Sequence, residues 1–231
     1  FKDLRIRQAL SLAIDRQELV DILFFGYGKI CNGPFLPDSF AYNEKIKTIT
    51  QNIEKAKELL KELGYDENNP FTFEVVTNTG NDTRINTAQI LQYQLEKVGV
   101  KMTIRVMEWQ AFLNTVVHPK KFDAVILGWS LGLMPDAYPL WHSSSDKLGG
   151  FNLVSYKNEK VDKLIEDGIN TINREELGKI YKEIFKIISD DLPYLFLYIP
   201  DGITVVNKEI KNVEPNFIGI MHNQKDWELE Q

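Results

Sequence analysis

The run His142-Ser143-Ser144-Ser145-Asp146 holds the three residue types of a hydrolase triad. Triad members come from separated segments, and neighbours in sequence do not converge on one proton path, so the run reads as a turn rather than a catalytic site. The three histidines (118, 142 and 222) and the single cysteine, Cys31, form no H-x-x-x-H or C-x-x-C, and their spacing predicts no metal site. Gly26-Tyr27-Gly28 with Gly33 is not G-x-G-x-x-G and follows a helical pattern instead of a strand, which removes a dinucleotide loop. The pair Asp190-Asp191 closes a helical tract and reads as solvated charge. What remains is chemistry of holding: amides, hydroxyls and indoles in Thr77-Asn78-Thr79-Gly80-Asn81, in Glu108-Trp109 and in Trp129-Ser130-Leu131-Gly132.

The elements that must position these groups follow from periodicity. Asp3 caps a first helix with Leu4, Ala9, Leu10 and Ala13 inward, and Asp15 with Glu18 is a capping box for a second carrying Val20, Ile22 and Leu23. Residues 26 to 43, with three glycines and two prolines, predict a long irregular loop. Ile53, Ala56, Leu59, Leu60 and Leu63 then recur at helical spacing before Gly64. From Phe71 the period becomes two, giving a strand to about Thr77. Asp82 caps a helix with Ile85, Ala88, Leu91, Leu95 and Val98 on one face, and a strand from Val100 to Val106 follows Gly99. A short amphipathic stretch, Trp109 to Val117, leads to the apolar run Ala124 to Leu127, typical of a strand buried on both faces. Helices at 158 to 170 and 174 to 190 come next, then strands at Tyr194 to Ile199 and Ile203 to Val206 and an extended tail with Ile210, Val213, Phe217 and Ile218.

Strand, helix, strand, helix, strand predicts an α/β fold with a parallel sheet and right-handed crossovers. In such sheets ligands sit beyond the carboxyl ends of the strands, which is where the three polar segments fall. The plainer alternative is equally weighted for each residue alone: Trp109 as a hydrophobic staple, Asn78 to Asn81 as a turn. Together they favour a site.

Composition narrows the class further. A chain of 231 residues with 43% hydrophobic and 26% charged content is globular, and at this length it buries about 70–75% of its unfolded surface without disulfides or metals. A formal charge of -6, with no long Lys/Arg cluster, argues against a nucleic-acid partner. The apolar runs are strand-sized, far short of the ~20 residues that span a bilayer. The start at Phe1-Lys2-Asp3 reads as the end of a fragment cut from a longer chain, and a lone cysteine fits cytosol and periplasm alike.

The opening Phe1-Lys2-Asp3-Leu4-Arg5-Ile6-Arg7-Gln8-Ala9-Leu10, followed by Ala13-Ile14-Asp15-Arg16, resembles the signature of extracellular solute-binding proteins of family 5, the peptide and nickel receptors of ABC importers. Gly33-Pro34, Glu54 to Leu60 with Gly64-Tyr65, Gln92 to Leu95 through Gly99-Val100, and Phe122-Asp123 leading to Leu127-Gly128-Trp129 are similar to the family in order and spacing. The resemblance implies a type II periplasmic-binding-protein fold. Residues 1–200 would be the C-terminal ligand-binding lobe, residues 201–231 an extended tail returning toward an N-terminal lobe absent from this chain. It also implies non-covalent binding of a peptide or other small solute without enzymatic turnover or cofactor. Its partners would be an ABC permease and ATPase, its location periplasmic or extracytoplasmic, with any membrane anchor outside this sequence.

In peptide-binding relatives the Trp of the Gly-Trp element lines the pocket, which corresponds to Trp129, and an acid three residues later pairs with the ligand's amino group. Here Gly132 stands at that position, and Asp136 is the nearest carboxylate, either a substitute anchor or the cap of a short helix. Dipeptide receptors also place an arginine at the end of the first strand, where this sequence has Thr77 to Asn81 and brings Arg84 only inside the helix. The expected ligand-binding set is therefore Trp129, Ser130, Asp136, Asn78, Thr79, Asn81 and Trp109, with no catalytic or metal residues. Oligopeptide binding leads, a receptor for a metal complex is the alternative, and a hydrolase using Ser143 to Ser145 is the competing class.

Overall fold

A computed structural model of the chain describes residues 1–132, 134–216 and 219–230. The helices begin at side-chain caps. Asp3 accepts the Arg5 amide at the start of α1 (Leu4–Ala13), and Asp15 accepts those of Gln17 and Glu18 at the start of α2 (Arg16–Phe24). A short strand β1 (Gly28–Ile30) lies inside the expected loop, and α3 (Ile53–Glu62) follows behind Asn52. Then come β2 (Thr72–Asn78), α4 (Asp82–Glu96), β3 (Lys101–Met107), the short α5 (Trp109–Phe112) continued by a π-helical turn at Leu113–Val117, and β4 (Ala124–Val125). The second half holds α6 (Tyr138–Trp141), α7 (Glu159–Ile169), α8 (Arg174–Asp191) and β5 (Tyr198–Pro200), which pairs with β1.

The central sheet has the order β3-β2-β4, parallel throughout. Helices α1, α3 and α4 cover it with a core that includes Leu10, Ile14, Ala56, Leu60, Val75, Leu95 and Met102. A second core joins α6, α7 and α8 through Trp141, Ile165, Phe185 and Ile188. A third, smaller core of Val76, Phe112, Val116, Val117 and Leu153 lies beside β2 and the α5 turn. The segment 194–197 is extended and runs between the first two cores. Leu195 and Leu197 pack on one, Tyr194 and Phe196 on the other, which is the period-two pattern of its sequence. Its backbone meets Cys31 N–H at 3.1 Å from the Leu197 carbonyl and the Arg16 guanidinium at 2.7 Å from the Phe196 carbonyl.

Several expectations shift at this level. Asn81, one residue earlier than Asp82, caps α4, its Oδ1 accepting the Arg84 amide. Glu18 does not close a capping box; its carboxylate accepts from buried Gln94, which also holds the Asp15 amide and carbonyl and so ties α2 to α4. Ile22 is exposed. The expected strand at Ile203 to Val206 is irregular, because no strand among the described residues pairs with it and Ile203 and Val205 stand in solvent.

The contacts divide the chain into two compact units, 1–199 and 200–231. In the smaller, β6 (Ile210–Lys211) pairs antiparallel with β7 (Glu228–Leu229), and buried Asn223 donates to the Asn212 carbonyl and accepts from the Trp227 indole. Phe217 and Ile218 lie outside the described residues.

Gly33 shows how closely α8 packs. A Cβ there would sit 2.3 Å from the Phe185 ring. Gly33→Ala is expected to cost about 1–3 kcal/mol in a denaturant titration, and adding Phe185→Leu should recover part of the loss.

Candidate functional site

The register of the central sheet decides where the three polar segments end. Asn78 lies opposite Met107 and Val76 opposite Val125, and the ladder continues as the Ile126 amide donates to the Val76 carbonyl at 3.1 Å. All three carboxyl ends therefore leave the sheet on one edge. The Thr79 amide donates to the Met107 carbonyl at 2.7 Å and closes the first of these ends against the second.

Four of the expected residues meet there through a residue the sequence reading set aside. Buried Asn78 donates to the Thr79 carbonyl and accepts from the Arg84 guanidinium at 2.8 Å. Arg84, three residues past the Asn81 cap, points back toward the helix start, as helical side chains do. Its guanidinium carbon lies 5.6 Å from the centroid of the Trp109 ring. Partial burial lowers its proton affinity, and among the described residues no ion pair joins it to a carboxylate. Thr79 is exposed, and Trp109 retains 37% of its surface. Glu108, beside it, caps α5; backbone amides led by that of Gln110 hold its carboxyl below the usual range.

Trp129 stands past the end of β4, also 37% exposed, with Ser130 exposed next to it. Its ring meets Phe151 edge to face, centroids 5.7 Å apart at 82°. The buried Tyr194 hydroxyl is also close to Trp129, and burial pushes it up to about 12. Tyr194 in turn packs on Trp141, 4.7 Å away, linking this indole to the second core. Asp136 occupies its own turn: its Oδ1 accepts the Tyr138 amide at 3.0 Å, while Ala137 is the N-cap residue of α6 and the Asp136 side chain stays exposed.

The loop that carries Phe151 is anchored by charge. Lys120 donates to Asp146, to the Asn152 carbonyl at 2.6 Å and to Ser155 Oγ at 3.2 Å, and Ser155 and Lys157 also meet Asp146. The Lys120 hydrogen bond is the main cause that holds the Asp146 carboxyl down at about 2, from an ordinary 3.8.

The His142 turn does not assemble hydrolytic machinery. Ser144 Oγ does reach His142 Nδ1 at 2.9 Å, closer than adjacency suggested, and Nε2 lies 3.4 Å from Glu166. Asp146, however, belongs to Lys120, and the amides of Ser143, Ser144 and Ser145 are all used, by Asp162, His142 Nδ1 and the His142 carbonyl. No donor pair in this turn is left to hold an oxyanion. His142 caps a 3-10 turn. Among the described residues no group of three or more His, Cys, Asp or Glu side chains is placed to hold a metal ion, and no helix is long and apolar enough to cross a membrane.

The sequence missed two residues at this edge. Arg84 was legible from its place in the first turn of α4. Phe151 was not, because only the folded Asp146–Ser155 loop brings it to Trp129.

The family described as bacterial extracellular solute-binding proteins, family 5 Middle, matches residues 1–151. The chain belongs to this family. It is 34% identical over 242 residues to the oligopeptide-binding protein AppA of Bacillus subtilis, covering 99% of this chain and 44% of that protein. It is 31% identical to the nickel-binding protein NikA of Staphylococcus aureus, covering 93% of this chain and 43% of NikA. The structure of Bacillus subtilis AppA in complex with a nonapeptide superposes with a TM-score of 0.86 at 33% identity, over 100% of this chain and 48% of AppA. The chain thus spans about half the length of the family 5 relatives it matches, and its α/β architecture with a parallel sheet is that of their type II binding-protein fold.

The depressed Asp146 gives the loop an acid limit. Because its folded value lies below the unfolded one, its contribution is complete above about pH 4 and is lost as pH falls through about 2. Asp146→Asn should therefore destabilise the protein at about pH 5, in urea titrations, with the difference closing toward pH 2. A constant difference across that range would contradict the assignment.

Proposed function

We propose that this chain is the ligand-binding lobe of an importer's solute receptor, holding an oligopeptide without altering it. The observation that carries the reading is the shared strand edge, where Trp109 and Trp129 are each 37% exposed and the Arg84 guanidinium lies over the Trp109 ring. Indole faces bury peptide side chains or backbone, and a guanidinium pairs with a carboxylate. Thr79, Asn81 and Ser130 supply polar contact, and Asp136 is the exposed carboxylate available for an amino group. Similarity to AppA, solved with a nonapeptide, supports the ligand class. In this reading residues 1–200 form the lobe, and residues 201–231 form a tail whose unpaired Ile203 and Val205 suit contact with a companion lobe. The receptor would work outside the cytoplasm and deliver ligand to an ABC permease and its ATPase.

A second reading, a receptor for a metal complex, is favoured by Gly132, where an amine-pairing acid is expected, and by similarity to NikA. Calorimetry of the complete receptor against peptide pools and nickel chelates separates the two. Heat is expected with peptides, and no heat from any peptide would contradict the proposal. Trp129→Ala in the complete receptor should weaken peptide binding by about 1–3 kcal/mol with little change in Tm. A falling Tm with affinity intact would make Trp129 a core residue instead. The chain alone should bind far more weakly than the complete receptor, because one lobe leaves half the contact surface in water; equal affinities would refute this.

A further inference from the structure

We propose that Phe151 is the second wall of a side-chain pocket that begins at Trp129 and selects peptides carrying a bulky apolar side chain; this rests on the peptide reading above. Exposed phenylalanines are common on proteins and mean little singly. This one differs in how it is held. Phe151 is 55% exposed, yet it follows a tight turn in which the Gly150 amide donates to the Lys147 carbonyl at 2.9 Å. A Cβ at Gly150 would lie 2.1 Å from the Ser145 carbonyl oxygen, so the turn closes only around a residue without a side chain.

The next two residues are pinned. Asn152 is fully buried; its amide donates to the His142 and Tyr156 carbonyls at 3.3 and 2.8 Å and its Oδ1 accepts the Tyr156 amide. Its carbonyl takes the Lys120 ammonium, and Leu153 enters the core beside Phe112. An aromatic ring on such a rigid base pays little ordering entropy when a ligand covers it, which is how preorganised contacts gain affinity.

The chemistry of the pocket follows from what is already engaged. Trp129 and Phe151 meet edge to face and remain 37% and 55% exposed. The charges that anchor the loop, Lys120 and Asp146, are consumed by each other and by Ser155 and Lys157, while Lys147, exposed in the same turn, has no ion pair among the described residues. An apolar ligand side chain seated here loses water contact against two rings, whereas a cationic one finds the loop's carboxylate, Asp146, already engaged.

The test uses the complete receptor and an alanine pentapeptide series in which one residue, Phe or Lys, is walked through the five positions. At one position Phe is expected to bind roughly tenfold or more tighter than Ala, with Lys no better than Ala. Phe151→Ala should bring the Phe-to-Ala ratio at that position close to one, and Phe151→Leu should keep part of it, both variants melting as the parent does. Peptides that bind with no preference at any position, or a preference that survives Phe151→Ala, would overturn the inference while leaving peptide binding intact. Failure of every peptide in the series to bind would overturn the peptide reading itself and this inference with it.

Discussion

The parallel hydrogen bonding of β2 to strands on both sides is the constraint from which the site follows. A central strand held in register with β3 over seven residue pairs, and with β4 beyond it, cannot slip by one residue without turning Val75 and its core neighbours outward. Fixing that register also fixes where the three chains leave the sheet. The polar turn after Asn78, the indole after Met107 and the indole after β4 are therefore on one edge for the same reason that Val75 and Met102 are buried. The placement of the candidate site is a by-product of the ladder, and the loops supply its residue types.

Many of the residues that look most chemical serve that framework. Arg16, buried, donates to the carbonyls of Ser11, Ile49 and Phe196 and to Ser11 Oγ, tying α1, the segment before α3 and the segment after α8 together. Arg7 closes the end of α8 by donating twice to the Asp191 carbonyl. Asp15, Asn81, Glu108 and His142 all accept amides at helix starts. The side chains of Arg84, Trp109 and Trp129 at the strand edge have no part in these helix-closing contacts.

The sequence made the framework legible wherever local chemistry and tertiary packing agree. Asp3, Asn173 and the glycines at 64 and 99 mark helix ends because caps and left-handed stops act within a few residues. The strand at 72–78 shows itself by alternation. Legibility failed where partners decide. Ile203 to Val206 has the composition of a strand and no neighbour to pair with, and β1 forms from a glycine-containing loop because Cys31 finds Leu197 across 166 positions of chain. Arg84 lies inside a helix in sequence but points back to the strand edge, a direction set by the helix geometry and its Asn78 partner. Phe151 carried no signal at all, since a glycine pair and a buried asparagine determine its placement only after folding.

The account stands on the claim that the three strand ends grip one guest between their indoles. A crystal structure of the complete receptor with the ligand it carries through purification tests this most directly. The account predicts ligand atoms within about 4 Å of both the Trp109 and Trp129 rings, and at the Asn78 to Asn81 turn. Ligand bound elsewhere, with both indoles covered by protein alone, would contradict it.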